Sequence, residues 1–247
     1  MTNALSNAQV DQLGDRLRRG ALDEVDLTLL DDYRRLFGPA YERVVITLRK
    51  LGQEPTGRPA KTTPSLVAKM TRETIRLSQV QDIAGCRVVV ANLEEQERVV
   101  AALRRAFPKA AVVDRRTRPT HGYRAVHVIV EVFDRAVEIQ VRTMLQHTWA
   151  ELSEKLSDLV DPAIKYGGGP ANVKDRLLRT SSALELVEEA ERHLAEAART
   201  MEEKQETEET RQQVAAAQEQ MPSLKEAVAK ALKATVDTWI HDTKREP

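Results

Sequence analysis

The chain has 247 residues with 38 basic and 38 acidic side chains, so its formal net charge of zero favours no particular class of partner, and any electrostatic signal must be local. Its length suffices for one ordinary domain with an extension, or for two small domains. A single cysteine excludes an internal disulfide. Because the sequence contains neither a signal-peptide pattern nor a run of about 18 apolar residues, it predicts a cytoplasmic protein without a membrane segment.

Charge is distributed unevenly along the chain. Basic residues outnumber acidic residues between Arg43 and Arg124, whereas acidic residues are in excess over residues 171–247. A local positive field of this kind favours an anionic ligand for the first region and not for the second.

The N-terminal third predicts helices and one loop. Residues 23–51 carry apolar side chains at helical spacing, with a break near Gly38-Pro39, which indicates one or two amphipathic helices. Residues 52–64 collect Gly, Pro and Thr and predict a loop. A short helix is expected from Ser65 to about Arg76, with Pro64 at its start.

Strands and helices alternate in the middle of the chain. CRVVVA is typical of a buried strand, residues 92–107 of a helix, and AAVVD of a second strand. YRAVHVIVEVF and AVEIQVR predict a β-hairpin with its turn at Asp134-Arg135, followed by a helix from Leu145 to Leu159. This order predicts an α/β or α+β domain that ends near KYGGGP. The glycine run is interpreted as a joint, because no Lys-Ser/Thr pair of a phosphate loop follows it.

The C-terminal region predicts a helical extension. EEKQETEETRQQVAAAQEQ is nearly all polar and indicates either a solvated helix or a flexible link. Ser223 and Glu226 fit a capping box and predict the start of a last helix. Its apolar face either folds back on the domain or docks a partner or a second copy of the chain; that face comprises Leu224, Val228, Leu232, Val236, Trp239 and Ile240.

Several polar residues could do chemistry together. Period-two alternation puts Glu138, Gln140 and Arg142 on one face of the second hairpin strand. Asp82 precedes the strand CRVVVA, and with Glu138 it could hold Mg²⁺, which prefers carboxylate oxygens. Cys86, inside the same apolar run, is interpreted as a core thiol.

A second polar group lies upstream in RPAKTTPSLVAK. It offers two lysines and a hydroxyl spaced by about one helical turn, preceded by an arginine, which together could bind polyphosphate. These residues are Arg58, Lys61, Ser65 and Lys69. The two carboxylates and this basic group together indicate a site that acts on nucleotides.

Three segments extend the interpretation by resemblance. RLSQVQDIAGCRVVV, HGYRAVHVIV and VEIQVRTMLQHTWAELSEKLSD, in this order, resemble the synthetase domain of the RelA/SpoT family. The resemblance implies a nucleotidyltransferase-like mixed β-sheet flanked by helices, and transfer of pyrophosphate from ATP to a ribose 3′-hydroxyl with release of AMP. It implies N-terminal helices over 1–52, a synthetase core over 53–168 and a helical extension over 169–247.

The resemblance also implies roles. It assigns Arg58, Lys61, Ser65 and Lys69 to the ATP phosphates, Arg87 to adenine, Asp82 to Mg²⁺, Glu138 to Mg²⁺ or to the base, and Gln140 and Arg142 to ordering the site. It implies that Tyr123 stacks on the acceptor base and that Arg124 and His127 meet the acceptor phosphates or the transferred group. His121 stands where guanine-using synthetases usually carry Asn, and the loop before it is shorter, so the acceptor stays open.

DRRTRPTHGYRAVHVIV, QHTWAELSEKLSD and IKYGGGP are most similar to toxic small alarmone synthetases of phages, prophages and anti-phage systems. This similarity implies a toxin that modifies the terminal adenosine of the tRNA CCA end, with a separate inhibitor protein. Arg115, Arg116 and Arg118 would then follow the RNA backbone. Two alternatives stay open: synthesis of guanosine tetraphosphate or an adenosine alarmone from free nucleotides, and a non-catalytic module that binds through its C-terminal helices.

Overall fold

The protein is described by a computed structural model. Backbone is described for residues 5–20, 22–204 and 207–243, and side chains for the same ranges except 202–204, 235–238 and 240–243. Eight α-helices and five β-strands fall in these ranges.

The helices are α1 Asn7–Arg19, α2 Glu24–Arg35, α3 Gly38–Lys50, α4 Thr63–Glu73, α5 Leu93–Ala106, α6 Met144–Leu159, α7 Ala171–Lys204 and α8 Glu208–Thr243. The strands are β1 Thr56–Arg58, β2 Ala84–Val90, β3 Ala111–Asp114, β4 Val126–Val132 and β5 Arg135–Thr143.

The strands form one mixed five-stranded sheet in the order β1-β2-β5-β4-β3. This confirms the predicted mixed α/β sheet with flanking helices. β1 pairs antiparallel with β2, with Arg58 opposite Gly85 and Thr56 opposite Arg87. A two-residue turn joins β4 to β5 at Phe133-Asp134, one residue earlier than predicted. Both turn residues have positive φ, as a tight hairpin turn requires, and Phe133 is exposed instead of extending the strand.

The chain divides into two compact units. Unit 1 comprises residues 1–88, 99–113 and 127–141, and unit 2 comprises residues 89–98, 114–126 and 142–247. In unit 1 the predicted break in the N-terminal helices falls just before Gly38, where α3 begins. Helix α1 begins with a capping box between Ser6 and Gln9 and ends at Gly20 in the left-handed conformation.

The core of unit 2 lies between α6, α7 and α8. Leu145, Trp149, Leu156, Leu177 and Leu184 are among its buried members. Side chains of α8 pack against this cluster, so the last helix folds back on its own unit; the packed residues are Val228, Leu232 and Trp239. Val236 and Ile240, which belong to the predicted face, lie outside the residues whose side chains are described.

Two predictions about α8 are wrong. The helix runs through Ser223 instead of beginning there, with Pro222 inside it. Leu224 is about half exposed, while its neighbour Lys225 is buried. The physical reason is the stripe Met221, Lys225 and Ala229, which is buried on both sides of the proline and outweighs the local start signal. Among the described residues, no helix is long and apolar enough to cross a membrane.

Candidate functional site

Two lysines in unit 1 converge on one carboxylate. Lys61 Nζ lies 2.7 Å from Asp82 Oδ2, and Lys69 Nζ lies 2.8 Å from Asp82 Oδ1. Lys69 is presented by α4, whereas Lys61 lies in the loop before it and is fixed by a backbone hydrogen bond from its N–H to the carbonyl of Ile83. Ser65 lies one turn before Lys69, and its hydroxyl accepts a hydrogen bond from Thr62.

The second carboxylate of unit 1 lies on β5 and has partners from both hairpin strands. His127 Nδ1 of β4 lies 2.8 Å from Glu138 Oε1, and Gln140 Nε2 donates to Glu138 Oε2 at 2.8 Å. Alternation places Val137 and Ile139 in the core and leaves Glu138 and Gln140 on the opposite, partly exposed face.

Gly85 allows two neighbouring strands to approach closely. A Cβ built on Gly85 would lie 3.2 Å from the carbonyl oxygen of Glu138 and 3.8 Å from its Cβ, so the two residues share a face. The strand register then puts Arg58, opposite Gly85, and Arg87, two residues further along β2, on this same face. Unit 1 therefore brings together the residues predicted for ATP phosphates, adenine and metal.

Both carboxylates of this cluster are held in the ionised form. Burial alone would raise the pKa of Asp82, but the charges and hydrogen bonds of Lys61 and Lys69 outweigh it and lower that pKa below its ordinary value. Burial would also raise the pKa of Glu138, but His127 and Gln140 lower it on balance, against repulsion from Asp82. Cys86 differs: burial, with Glu138 nearby, raises the pKa of this thiol to about 12, so it stays protonated, as a core thiol does.

A tyrosine and an arginine form a pair in unit 2. Arg142 Nη2 donates to the hydroxyl of Tyr123 at 2.9 Å, and the guanidinium carbon lies 5.1 Å from the ring centroid. The indole of Trp149, on α6, lies 6.5 Å from the Tyr123 ring. The arginine thus orients the aromatic ring by one hydrogen bond and one cation–π contact.

Two other arginines predicted for ligands are engaged with the protein. Arg124 is buried, and its Nη2 lies 2.8 Å from Glu185 of α7. Arg116 makes a bidentate pair with Asp114 and contacts Gln96. Arg115, by contrast, donates a hydrogen bond to the exposed Thr120, and Arg118 is exposed. The predicted ligand roles of Arg124 and Arg116 stay predictions, and the geometry adds a scaffold role to each.

His121 has a backbone reason for its identity. Its φ is +55°, in the left-handed region where Asn, Asp and His are tolerated better than other side chains. Its ring lies against Gly167, where a Cβ would come within 2.1 Å of Nδ1. The backbone conformation therefore suits His at this position, as it would also suit Asn.

Sequence reasoning missed the residues of α7 that contact the HGYR segment. Ser181 Oγ donates to the carbonyl of Gly122 at 2.6 Å, and the side chain of Glu188 accepts hydrogen bonds from Thr143 and Gln146. The sequence signal was only an i, i+4 polar spacing, which is equally typical of a solvated helix face.

A comparison with known proteins places this arrangement in a family. A family model described as a region found in RelA / SpoT proteins matches residues 57–157. The protein named GTP pyrophosphokinase YjbM of Bacillus subtilis is 31% identical over 150 residues, which are 54% of this chain and 67% of that protein. The chain belongs to the RelA/SpoT family.

Other relatives and solved structures agree with this assignment. Uncharacterized proteins of Mycobacterium bovis and Mycobacterium tuberculosis are 33% identical over 184 residues, and the chain spans 63% of their length. The crystal structure of small alarmone synthetase 1 from Bacillus subtilis matches with a TM-score of 0.53 and 26% identity, over 72% of this chain and 100% of that one. The same synthetase bound to its product pppGpp matches with a TM-score of 0.54 and 25% identity, over 71% of this chain and 98% of that one.

The RelA/SpoT match covers all residues of the unit 1 cluster together with Tyr123 and Arg142. It does not reach α7 or α8. Helices α1, α2 and α3 also lie outside the matched residues.

Proposed function

We propose that this RelA/SpoT-family chain is a pyrophosphokinase that transfers pyrophosphate from ATP to a ribose 3′-hydroxyl. In this reaction the oxygen of the 3′-hydroxyl attacks the β-phosphorus and gives up its proton to solvent or to a base, the bond from that phosphorus to the bridging oxygen breaks, and AMP leaves with the bridging oxygen. The observation that supports the proposal most is the convergence of Lys61 and Lys69 on Asp82. Transfer of this kind depends on positioning and charge neutralisation, which lysines and carboxylates supply.

Magnesium fits the donor set of unit 1. Asp82 and Glu138 are ionised hard-oxygen donors, and their mutual repulsion is what a divalent cation would relieve. No group of three or more His, Cys, Asp or Glu side chains suited to a metal is found in the described part of the chain, so the rest of the coordination sphere would be phosphate and water. Bound Mg²⁺ would supply charge neutralisation at the phosphates, and it would release Lys61 or Lys69 from Asp82 toward them.

The lowered pKa of Glu138 bears on its role. A carboxylate that is hard to protonate is a weak proton acceptor near neutral pH, whereas a metal ligand must stay deprotonated. Of its two proposed roles, metal ligand and base, the first is therefore the better supported. His127 and Gln140 would then keep both carboxylate oxygens oriented.

For the acceptor, we propose the terminal adenosine of the tRNA CCA end, with the chain acting as a translation-inhibiting toxin that a separate protein restrains. The half-buried Arg115 and the exposed Arg118 precede Tyr123 in a basic loop that could follow an RNA backbone, and Tyr123 held by Arg142 offers a stacking surface. The second candidate is synthesis of guanosine or adenosine alarmones. It is favoured by the likeness to a synthetase bound to pppGpp.

A non-catalytic module that binds through its C-terminal helices is less well supported. The apolar side chains of α8 that such binding would use, Val228, Leu232 and Trp239, already pack on unit 2. Their partial burial reduces the apolar surface that these three side chains could offer to a partner.

The decisive experiment offers one labelled donor to competing acceptors. The chain is incubated with γ-labelled ATP and Mg²⁺, and with bulk tRNA, GTP, GDP or ATP. Label in tRNA is expected, and it should vanish when the terminal ribose is first oxidised with periodate. Label confined to mononucleotides would overturn the tRNA assignment, and label in no acceptor would support the binding module.

The basic loop gives a second test of the acceptor. Replacing Arg115 and Arg118 by Ala should raise the KM for tRNA and flatten its salt dependence, because each arginine lost removes a phosphate contact. Replacing the exposed pair Arg104 and Arg105 of α5 provides the matched control. Equal effects of the two double variants on tRNA use would exclude a specific role for the loop.

A further inference from the structure

Four residues of α7 form one stripe on the side of the helix that contacts the HGYR segment, residues 121–124 of unit 2, which we call the acceptor segment. Leu177, Ser181, Glu185 and Glu188 are separated by four, four and three positions, which places them on one side of the helix. The stripe lies outside the region matched by the family model. Ser181, Glu185 and Glu188 make polar contacts with residues next to Tyr123 or Arg142 in the chain, and the carbonyl of Leu177 accepts a hydrogen bond from Trp149.

The first two contacts hold the turn before Tyr123. Ser181 Oγ donates to the carbonyl oxygen of Gly122 at 2.6 Å, and Trp149 Nε1 donates to the carbonyl oxygen of Leu177 at 2.9 Å. Gly122 has a φ of +87°, and a Cβ there would lie 2.8 Å from the indole of Trp149 and 3.3 Å from the Cβ of Ser181. Helix and turn are in such close contact that only glycine fits between them.

The other two contacts hold the residues that follow Tyr123 and Arg142 in the chain. Glu185 pairs with the buried Arg124 at 2.8 Å. Glu188 is 2% exposed and accepts hydrogen bonds from Thr143 and from Gln146, the two residues that form the capping box of α6. Buried, charge-assisted contacts of this kind fix orientation, because losing one partner leaves the other unpaired.

Taken together, α7 binds Gly122 and Arg124 on both sides of Tyr123, and Thr143 next to Arg142. We propose that this stripe of α7 positions Tyr123 and Arg142 for the acceptor, so that the helical extension sets acceptor affinity without touching ATP. Ser181 and Glu185 are its main positioning residues. The inference rests on the proposed function, because it takes Tyr123 as the acceptor residue.

The test separates acceptor binding from ATP binding. Ser181→Ala and Glu185→Gln are each expected to raise the acceptor KM by about five- to tenfold, which is the effect of losing one positioned hydrogen bond or charge, with the Kd for ATP changed by less than about twofold. Ser182→Ala and Glu189→Gln are matched controls on the same helix, at an exposed serine and at a glutamate paired with Arg192. Ser181→Thr, which keeps the hydroxyl, should restore much of the acceptor affinity.

A purely structural role of α7 would give a different result. If the acceptor KM and the Kd for ATP rise together, or if only the melting temperature falls, the positioning role is wrong. Rescue by Ser181→Thr distinguishes loss of the hydrogen bond from general damage to the fold.

Hydrogen exchange keeps the test independent of the proposed reaction. Amide exchange of residues 121–125 should be faster in Ser181→Ala than in Ser182→Ala, because the Gly122 carbonyl has lost its donor. Unchanged exchange would overturn the inference even if the wild-type chain transferred pyrophosphate to no acceptor. Absence of transfer by the wild type, with altered exchange in Ser181→Ala, would instead reject the proposed function alone.

Discussion

The two units contain polar networks that differ in their access to solvent. In unit 1, the side chains of Lys61, Lys69, Asp82 and Glu138 keep 15–18% of their surface exposed. In unit 2, the side chain of Lys225 is 5% exposed, and Glu188 is 2% exposed. Groups of the first kind can exchange a protein partner for a ligand, whereas groups of the second kind can do so only by unpacking helices.

This difference predicts a division of mutational effects. Changes in the network of unit 1 should reduce transfer more than stability, because its charges keep some contact with solvent and can bind a ligand. Changes in the network of unit 2 should reduce stability, because each lost partner leaves a buried group unsatisfied.

The largest effect is expected at the two carboxylates of unit 1. Asp82→Asn and Glu138→Gln should each lower kcat by at least about 10²–10³-fold, since each removes a charge that would hold Mg²⁺ at the phosphates. The free energy of unfolding should also fall, because Lys61 and Lys69, or His127, lose the carboxylate with which they pair. Glu131→Gln, at an exposed position of the same hairpin, is the control for both measurements. Wild-type kcat in either variant would rule out the proposed metal site.

A smaller effect, on stability, is expected at the buried lysine of unit 2. Lys225 Nζ lies 2.8 Å from Glu191 Oε2 and donates to the carbonyl of Ala91. Lys225→Met should lower the free energy of unfolding by about 3 kcal/mol, because Glu191 is left without its partner. Chemical denaturation measures this loss, and Lys230→Met, at an exposed position of α8, should cost less than about 0.5 kcal/mol.

A double variant sharpens that result. Adding Glu191→Leu to Lys225→Met replaces the ion pair by apolar groups and should recover most of the lost stability. A double variant no more stable than Lys225→Met would mean that the bond to the Ala91 carbonyl, and not the ion pair, holds α8 in place.

The smallest effect is a difference in pH dependence between the networks. The pKa of Asp82 in the folded protein is lowered by its lysines. The ionised carboxylate therefore stabilises the fold at any pH above its pKa in the unfolded chain, and this stabilisation is lost as the pH falls through its pKa in the folded protein. Burial is the main reason that the pKa of Glu188 is raised in the folded protein. Its contribution to stability is therefore present at a pH below its pKa in the unfolded chain, and it is lost as the pH rises through its pKa in the folded protein.

Unfolding measured at several pH values should therefore give slopes of opposite sign. The stability of wild type relative to Asp82→Asn should increase from about pH 3 to pH 6, whereas its stability relative to Glu188→Gln should decrease as pH rises from about 4 toward neutrality. Slopes of the same sign would contradict the contrast between a solvated and a buried network.

Local patterns predicted most of the sheet and the polar cluster of unit 1. Alternation in AVEIQVR identified the face that carries Glu138 and Gln140, and the apolar run CRVVVA identified the strand that follows Asp82. These inferences succeed because alternation and turn chemistry act over a few residues. The three-residue strand β1 was missed, since its pairing with β2 and not its composition makes it a strand.

Long-range contacts explain what local patterns could not predict. Nothing near Ser181 or Glu185 in the chain distinguishes them from a solvated helix face, because their partners Gly122 and Arg124 lie about sixty residues away. The predicted start of the last helix failed for the same reason, since burial of Met221 carries α8 through Pro222. The assignment of site residues and the linear domain boundaries stay predictions.

The three glycines before α7 act as a fixed corner and not as a loose joint. Gly167 and Gly169 have positive φ, and a Cβ on Gly167, Gly168 or Gly169 would come within 2.7 Å of a neighbouring side chain. This corner sets the rotational phase of α7. Each residue advances a helix by about 100°. One residue inserted after Gly169 would therefore turn Ser181 and Glu185 away from the HGYR segment, although no residue of the sequence has been substituted. The length of this corner is therefore as strict a requirement on the sequence as the identity of any residue in the acceptor segment.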